Sequence, residues 1–282
     1  MKLTIPTAEF FIPDQKPLEE AIKRTTHMSI AAHQDDIEIM AYDGILACFN
    51  KPDNWFFGVV VTNGSGSARD GVYAHYTDEQ MVNIRRIEQK KAAFIGEFGL
   101  LATLDHPSKD VKNPKNESIV DEFVMLLKEA QPDILYTHNL ADKHDTHIGV
   151  TTKVIRAIRK MDKQLRPKKV YGCEVWRDLD WMIDQEKVKF NLSEHPNLAQ
   201  SLVEVFDSQI AGGKRYDLAT MGRRLANATY SESHAVDKAS AVGFAMDLTP
   251  LIENDDLDIT TYVTDYIERF KQDVKDRIGK ML

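Results

Sequence analysis

Cysteine is nearly absent from this sequence. Cys48 and Cys173 are the only two, far apart and outside any CxxC spacing, so neither a disulfide framework nor a cysteine-rich zinc site is available. Any metal must be held by histidine and carboxylates. Long apolar runs are missing too, since no window approaches the roughly 18 to 20 consecutive apolar residues of a membrane helix. The N-terminal stretch is divided by Pro6, Glu9 and Pro13 and carries no small-residue cleavage site, which reads as no signal peptide and a cytoplasmic location. There is no excess of basic residues: the formal net charge is −8, which argues against a nucleic-acid partner. The loop Asn63-Gly64-Ser65-Gly66-Ser67-Ala68-Arg69 lacks both GxGxxG spacing and a Walker lysine, so it is no phosphate cradle. Internal repeats and low-complexity runs are absent as well.

What remains is a chain of 282 residues, long enough to bury a sizeable core. From about residue 27 to residue 175, short β-branched runs alternate with stretches of helical period, the pattern of βα units around a parallel sheet. Strands are expected at 28–32, 56–62, 100–104, 133–137 and 169–175, and helices at 78–97, 117–130 and 147–160. In the second helix Ile119, Phe123, Leu126, Leu127 and Ala130 form one stripe, and Pro132 ends it. The expectation is an α/β, Rossmann-like, mostly parallel sheet flanked by helices. We read residues 1–282 as one domain, with a core at about 27–175 and a helical or irregular C-terminal extension at about 176–282. In that extension a strand at 187–191 and helices near 195–210 and 215–229 are expected. The stripe Ile259, Tyr262, Val263, Tyr266, Ile267, Phe270, Val274 and Ile278 should dock a last helix on the body.

Two short segments carry chemistry. His33-Gln34-Asp35-Asp36 follows the first expected strand, at the carboxyl end where ligands bind in open parallel sheets. Such a run is costly to bury without a partner. One imidazole and one carboxylate offer two ligands to a divalent ion, and a second carboxylate lies within reach of a water on that ion. His144-Asp145-Thr146-His147 follows the fourth strand and opens a helix, with His147 facing the sheet. The spacing of three leaves open which histidine ligates and which donates a hydrogen bond to substrate.

The segment Ala32-His33-Gln34-Asp35-Asp36 with Glu38, the strand Pro132-Asp133-Ile134-Leu135-Tyr136-Thr137-His138 and the pair His144 and His147 resemble the N-acetylglucosaminyl-phosphatidylinositol de-N-acetylase-like family, also called PIG-L or LmbE-like. Arg85, Glu88 and Ala92 match its RxxExxxA, and Ser208-Gln209 echoes a later Ser-Gln pair. The resemblance implies Zn2+, or another divalent transition metal, held by His33, Asp36 and His147. It further implies Asp35 as general base, His144 polarising the amide carbonyl, and hydrolysis of an N-acetyl group from an N-acetylglucosamine-like conjugate or short oligosaccharide. Hydrolysis of another amide, such as a thiol conjugate, and a non-catalytic binding module are the alternatives. The expected partner is a small amino-sugar substrate; a homo-oligomer is compatible with the sequence.

The chain departs from the family pattern where Gln34 stands in place of proline and Asp43-Gly44 in place of Gly-Gly. The order His-Asp-Thr-His also moves the acid that would orient His144, leaving Asp142 or Asp145 to substitute. Arg85, Asn63 and Arg69 are candidate substrate contacts, the last two at the pocket rim, although Arg85 and Glu88 also fit a surface ion pair. Lys214, Arg215, Arg223 and Arg224 read as a solvated helix face. The other histidines, His138 included, read as structural or exposed, and Tyr171, Trp176 and Trp181 as core or as the wall of a sugar site.

Overall fold

The computed structural model describes residues 1–282. Eight strands, β1 (Glu9–Phe11), β2 (His27–Ala31), β3 (Phe56–Thr62), β4 (Leu100–His106), β5 (Ile134–His138), β6 (Lys169–Cys173), β7 (Val188–Asn191) and β8 (Val242–Asp247), form one sheet in the order β1-β4-β3-β2-β5-β6-β8-β7. The block from β4 to β6 is parallel throughout. β1 adds antiparallel to β4, while β8 and then β7 extend the other edge antiparallel. All five strands expected in the core region are present, together with the one expected near 187–191.

Both faces of the sheet are covered, which is why the central strands read as unbroken apolar runs. In β3 alternate residues serve opposite layers: Phe57, Val59 and Val61 belong to one core cluster, Phe56 and Val60 to the other. Against the first pack the helices Glu117–Ala130 and Asp145–Arg159, through Phe123, Leu126, Val150 and Val154. The second layer contains Ile37 and Ile45 from the short helices after β2 and Ala92 and Ala93 from the helix Asp78–Ile95. That last helix opens with a capping box formed by Thr77 and Gln80, which satisfies two orphan backbone donors.

The order in which strands are added reverses between β2 and β5. From β2 the chain winds outward through β3 and β4, then crosses back to β5 and leaves the other way through β6. The carboxyl ends of β2 and β5 therefore flank the crevice where open α/β sheets bind ligands.

Three differences from the sequence reading have physical causes. β1 has only three residues and β8 contains Gly243, so neither shows a strand pattern by itself; each exists through its neighbour's ladder. The helix expected near 195–210 is two, Pro196–Glu204 and Asp207–Ile210, because the chain bends at the buried Phe206. The helix Ile259–Gly279 docks only by its first turns, where Val263 is buried and Tyr262 donates to Asp247 O at 2.6 Å. Beyond them Ile267, Val274 and Ile278 are 43%, 38% and 55% exposed, since the body ends before the stripe does. No helix is long and apolar enough to cross a membrane.

Gly44 lies where the short helix after β2 presses on the sheet: a Cβ there would come within 2.5 Å of the Tyr136 ring and 2.9 Å of Phe56. The Tyr136 hydroxyl is itself held by Asp43 at 2.6 Å, so the ring cannot swing clear. Gly44→Ala should cost roughly 1 to 3 kcal/mol by overpacking, despite alanine's better helix propensity. Urea unfolding midpoints measure it; an unchanged or raised midpoint would count against this packing.

Candidate metal centre and active site

β2 delivers the first segment directly. The Ala32 N–H donates to Nε2 of His138, the last residue of β5, at 2.9 Å, so the two carboxyl ends are tied together before the turn begins. Asp35 then adopts a left-handed backbone, φ 83°, unusual for a residue with a Cβ, and Asp36 starts the next helix. Gln34, standing where the resemblance expects proline, donates from Nε2 to Thr62 O at 3.0 Å, so a side-chain tie to β3 anchors the turn. Arg85 braces it from the helix Asp78–Ile95, with Nη2 on Gln34 O and, at 3.0 Å, on Asp35 Oδ2.

Asp36, 2% exposed, is the centre of the cluster. Its Oδ2 accepts the His33 N–H at 2.7 Å and lies 3.1 Å from His33 Nδ1 and 3.3 Å from His147 Nε2; the two imidazole nitrogens are 3.2 Å apart. A tetrahedral ion with ligand bonds of about 2.0–2.1 Å holds its ligand atoms about 3.3 Å from one another. The three donors therefore stand at the mutual separations such an ion requires. Two other trios share His147, one with His33 and His144 and one with Asp36 and His138. His138 is poorly placed to ligate, because its Nε2 lone pair already accepts from Ala32 N–H; it stacks on His147 with ring centroids 3.8 Å apart.

The acids near the second segment do something other than expected. Asp145 is exposed. Asp142 is buried and faces His147, with Oδ2 3.3 Å from Nδ1, while its Oδ1 accepts the His144 backbone N–H at 3.2 Å. Neither carboxylate bonds the His144 ring. The ring caps its own helix instead, Nδ1 accepting from Thr146 N–H at 3.3 Å. With Nδ1 an acceptor, a neutral His144 carries its proton on Nε2.

Charge in the cluster follows from burial and neighbours. Burial alone would lift Asp36, but His147 and His138 hold it well below the usual carboxylate range. Burial alone would lower His147, but Asp36 and Asp142 outweigh it and raise that imidazole to about 9. Burial, reinforced by His33 and His147, drops His144 to about 4, so it is neutral at pH 7. Burial also pushes Asp35 up to about 7, against the opposing pull of Arg85.

These groups open on a cavity of about 650 Å³ lined by Asp35, Arg85, His144, Trp176, Gln209 and Tyr216 among others. Arg85 and Glu88 are buried, not a surface pair: Glu88 accepts from Ser208 N and Oγ at 2.7 and 2.6 Å, which presents Gln209 to the cavity. Asn63 and Arg69 do not line it. Asn63 Oδ1 accepts Ser65 N–H at 3.1 Å, and Arg69 is spent on Ser65 O, Tyr76 O and Asp78; both shape their own loop. Gln209 and Tyr216 were not singled out from the sequence, and only the Ser-Gln echo pointed toward the first.

Residues 28–158 match the PIG-L family, described as GlcNAc-PI de-N-acetylase. No curated protein matches the chain significantly. Among solved structures, N,N'-diacetylchitobiose deacetylase from Pyrococcus horikoshii superposes with a TM-score of 0.63 at 12% identity, covering 82% of this chain and 86% of that one. GalB, the 4-carboxy-2-hydroxymuconate hydratase of Pseudomonas putida KT2440, gives 0.62 at 13% identity, covering 79% and 95%. Dbv21, the A40926 pseudoaglycone deacetylase, gives 0.57 at 13% identity, covering 79% and 97%. At such identities the likeness is one of fold, and a fold that carries a hydratase beside deacetylases does not by itself select the reaction.

Two outcomes follow for metal binding. His147 must lose its proton to ligate, so zinc uptake at pH 7 should release about one proton, and apparent affinity should rise about tenfold per pH unit up to about pH 9. Calorimetry in buffers of different ionisation enthalpy counts the proton; a pH-independent affinity would contradict the assignment. Asp142→Asn, which removes the carboxylate on His147 Nδ1, should weaken zinc binding about 10- to 100-fold, measured by competition with a chromogenic chelator.

Proposed function

We propose, on the premise that residues 28–158 make this chain a PIG-L-family amide hydrolase, that it removes the N-acetyl group from an N-acetylglucosamine-like small conjugate or short oligosaccharide in a zinc-dependent reaction. The observation that carries this reading is the mutual 3.1–3.3 Å spacing of the His33, Asp36 and His147 donors, with Asp35 and His144 lining the same cavity. A divalent ion held by these three residues would supply Lewis acidity toward the acetyl carbonyl and make water more acidic.

The chain's own groups account for the proton traffic. Asp35, with a carboxyl poised at about 7, takes the proton of the attacking water and returns it to the amine nitrogen as the C–N bond breaks, leaving acetate and a free amine. Arg85 holds that carboxylate in place through Nη2, so the base has one rotamer to use. Neutral His144 donates a hydrogen bond from Nε2–H to the carbonyl oxygen as negative charge develops there, a stabilisation worth roughly 2.7–4 kcal/mol where one such donor has been removed. Its Thr146 N–H partner favours the neutral ring over the imidazolium, which suits a donor of hydrogen bonds. Trp176, tilted against His144 at 6.2 Å between centroids, offers an apolar face for the sugar ring.

A panel of N-acetyl sugars with zinc-loaded protein, read by acetate release, tests the reading. Activity on other amides with silence across the sugars would move it to a different amidase. Asp35→Asn should lower kcat by about 10²- to 10⁴-fold while zinc stays bound; near-normal turnover in that variant would remove Asp35 from the chemistry.

A further inference from the structure

Away from the cavity, the helix Ile259–Gly279 leaves one face without a partner. On its docked side Val263 is buried and Tyr262, Tyr266 and Phe270 are half-buried. Arg269 Nε donates to Glu186 Oε1 of the body, which fixes the rotation of the helix. Ile267, Lys271, Val274 and Ile278 are all exposed. Their separations of four, three and four residues are those of successive d and a positions of a heptad, the seam of a two-stranded coiled coil. The one polar member, Lys271, is held by Glu268 at 2.9 Å. Its charge is thereby drawn to the edge of the seam, and its aliphatic stem is left to cover apolar surface.

The flanking charges choose the occupant. A second copy laid antiparallel, with Ile267 facing the partner's Ile278 and Lys271 facing the partner's Val274, makes an isologous contact in which each pair occurs twice. The same register sets Glu268 opposite the partner's Lys275, at the edge positions where opposite charges select orientation. Lys275 pairs with no acid of its own chain, whereas Arg277 is bound to Asp273 at 2.7 Å. A parallel pairing would stack Lys271 on the partner's Lys271 inside the seam and leave Glu268 without a cation across it.

A seam this short associates weakly as a free peptide, because starting a helix is costly. Here Val263 is buried and Tyr262 donates to Asp247 O, so the helix is ordered before contact and the entropy lost on pairing is reduced. We propose that this helix is a self-association surface: two copies of the chain join through antiparallel pairing of residues 267–278, with Glu268 and Lys275 setting the register. None of the cavity-lining residues lies on this helix, so the dimer does not rest on the deacetylase reading.

Sedimentation equilibrium of the full chain over a concentration series tests the surface, with far-UV circular dichroism confirming the fold of each variant. We expect a reversible monomer–dimer equilibrium in the wild type. Ile267→Glu/Ile278→Glu, at positions already exposed, should weaken it about 100-fold or more, since carboxylates would enter the seam uncompensated. Glu268→Lys and Lys275→Glu should each weaken it about three- to tenfold, and the double exchange should restore it. The two positions lie roughly 10 Å apart along one helix, too far to pair within a chain, so the restoration reads contact between copies. A chain that stays monomeric overturns the proposal, whether or not the face then takes up vesicles of phosphatidylcholine and phosphatidylglycerol. So does a dimer that Ile267→Glu/Ile278→Glu leaves intact, which belongs to another surface. Charge variants whose loss the double exchange does not restore overturn the antiparallel pairing.

Discussion

A carboxylate that is 2% exposed must find compensating charge or donors, and Asp36 finds them in one place. Its Oδ2 meets the His33 backbone N–H and ring and the His147 ring, with His138 at 3.6 Å. Each partner comes from the carboxyl end of β2 or from β5 and the segment following it, so the pairing of those two strands is a precondition of the site. The cluster needs one unit of positive charge or more. His147 supplies it by keeping its proton to about pH 9; to hold an ion, the same nitrogen would have to give up that proton. The same contacts that neutralise Asp36 set the three donors 3.1–3.3 Å apart.

The helix Asp78–Ile95 extends this constraint across the molecule. Arg85 holds the Gln34–Asp35 turn, Gln89 Nε2 donates to the buried Glu38 at 2.8 Å, and Glu88 anchors Ser208. Burial pushes Glu38 up to about 8, so it is mainly neutral at pH 7 and adds no second buried anion beside Asp36. Through Ser208 the same helix pins the segment carrying Gln209 and, beyond it, Lys214 and Tyr216. A single crossover helix thus links Asp35, the turn that leads into Asp36 and the cavity wall at Gln209.

Legibility from sequence tracked the range of the physics. β3 is legible to the residue, because Phe56 to Val61 form an unbroken run without a charged side chain, closed by Thr62-Asn63-Gly64. The convergence of His33, Asp36 and His147 on one point is legible because both motifs sit at strand carboxyl ends. Side-chain direction within a turn is not: four residues cannot say that Asp142 faces His147 while Asp145 faces water. Nor could spacing reveal that Asn63 and Arg69 are consumed by their own loop. The cations were misread for a different reason. On an isolated helix Arg223 looks solvated; what makes it part of a cavity is Val175, 48 positions earlier, and such pairings have no local trace. Arg224 was misread likewise: it is buried against the Glu38 and Ile39 carbonyls.

The altered order of the second motif changes what His144 is. Had a carboxylate faced its Nδ1, that anion would have favoured the imidazolium and raised the ring's pKa. The Thr146 N–H does the opposite. A backbone donor at a helix N-terminus carries partial positive charge and disfavours a proton on Nδ1, while burial with His33 and His147 lowers this ring to about 4. The proton of the neutral ring is therefore confined to Nε2, so at pH 7 His144 can donate a hydrogen bond but carries no cationic charge into a cluster that already holds His147. Placing the acid on His147 through Asp142 and leaving His144 to the backbone gives two adjacent histidines opposite characters: one held basic by two carboxylates, one held neutral with its proton on Nε2.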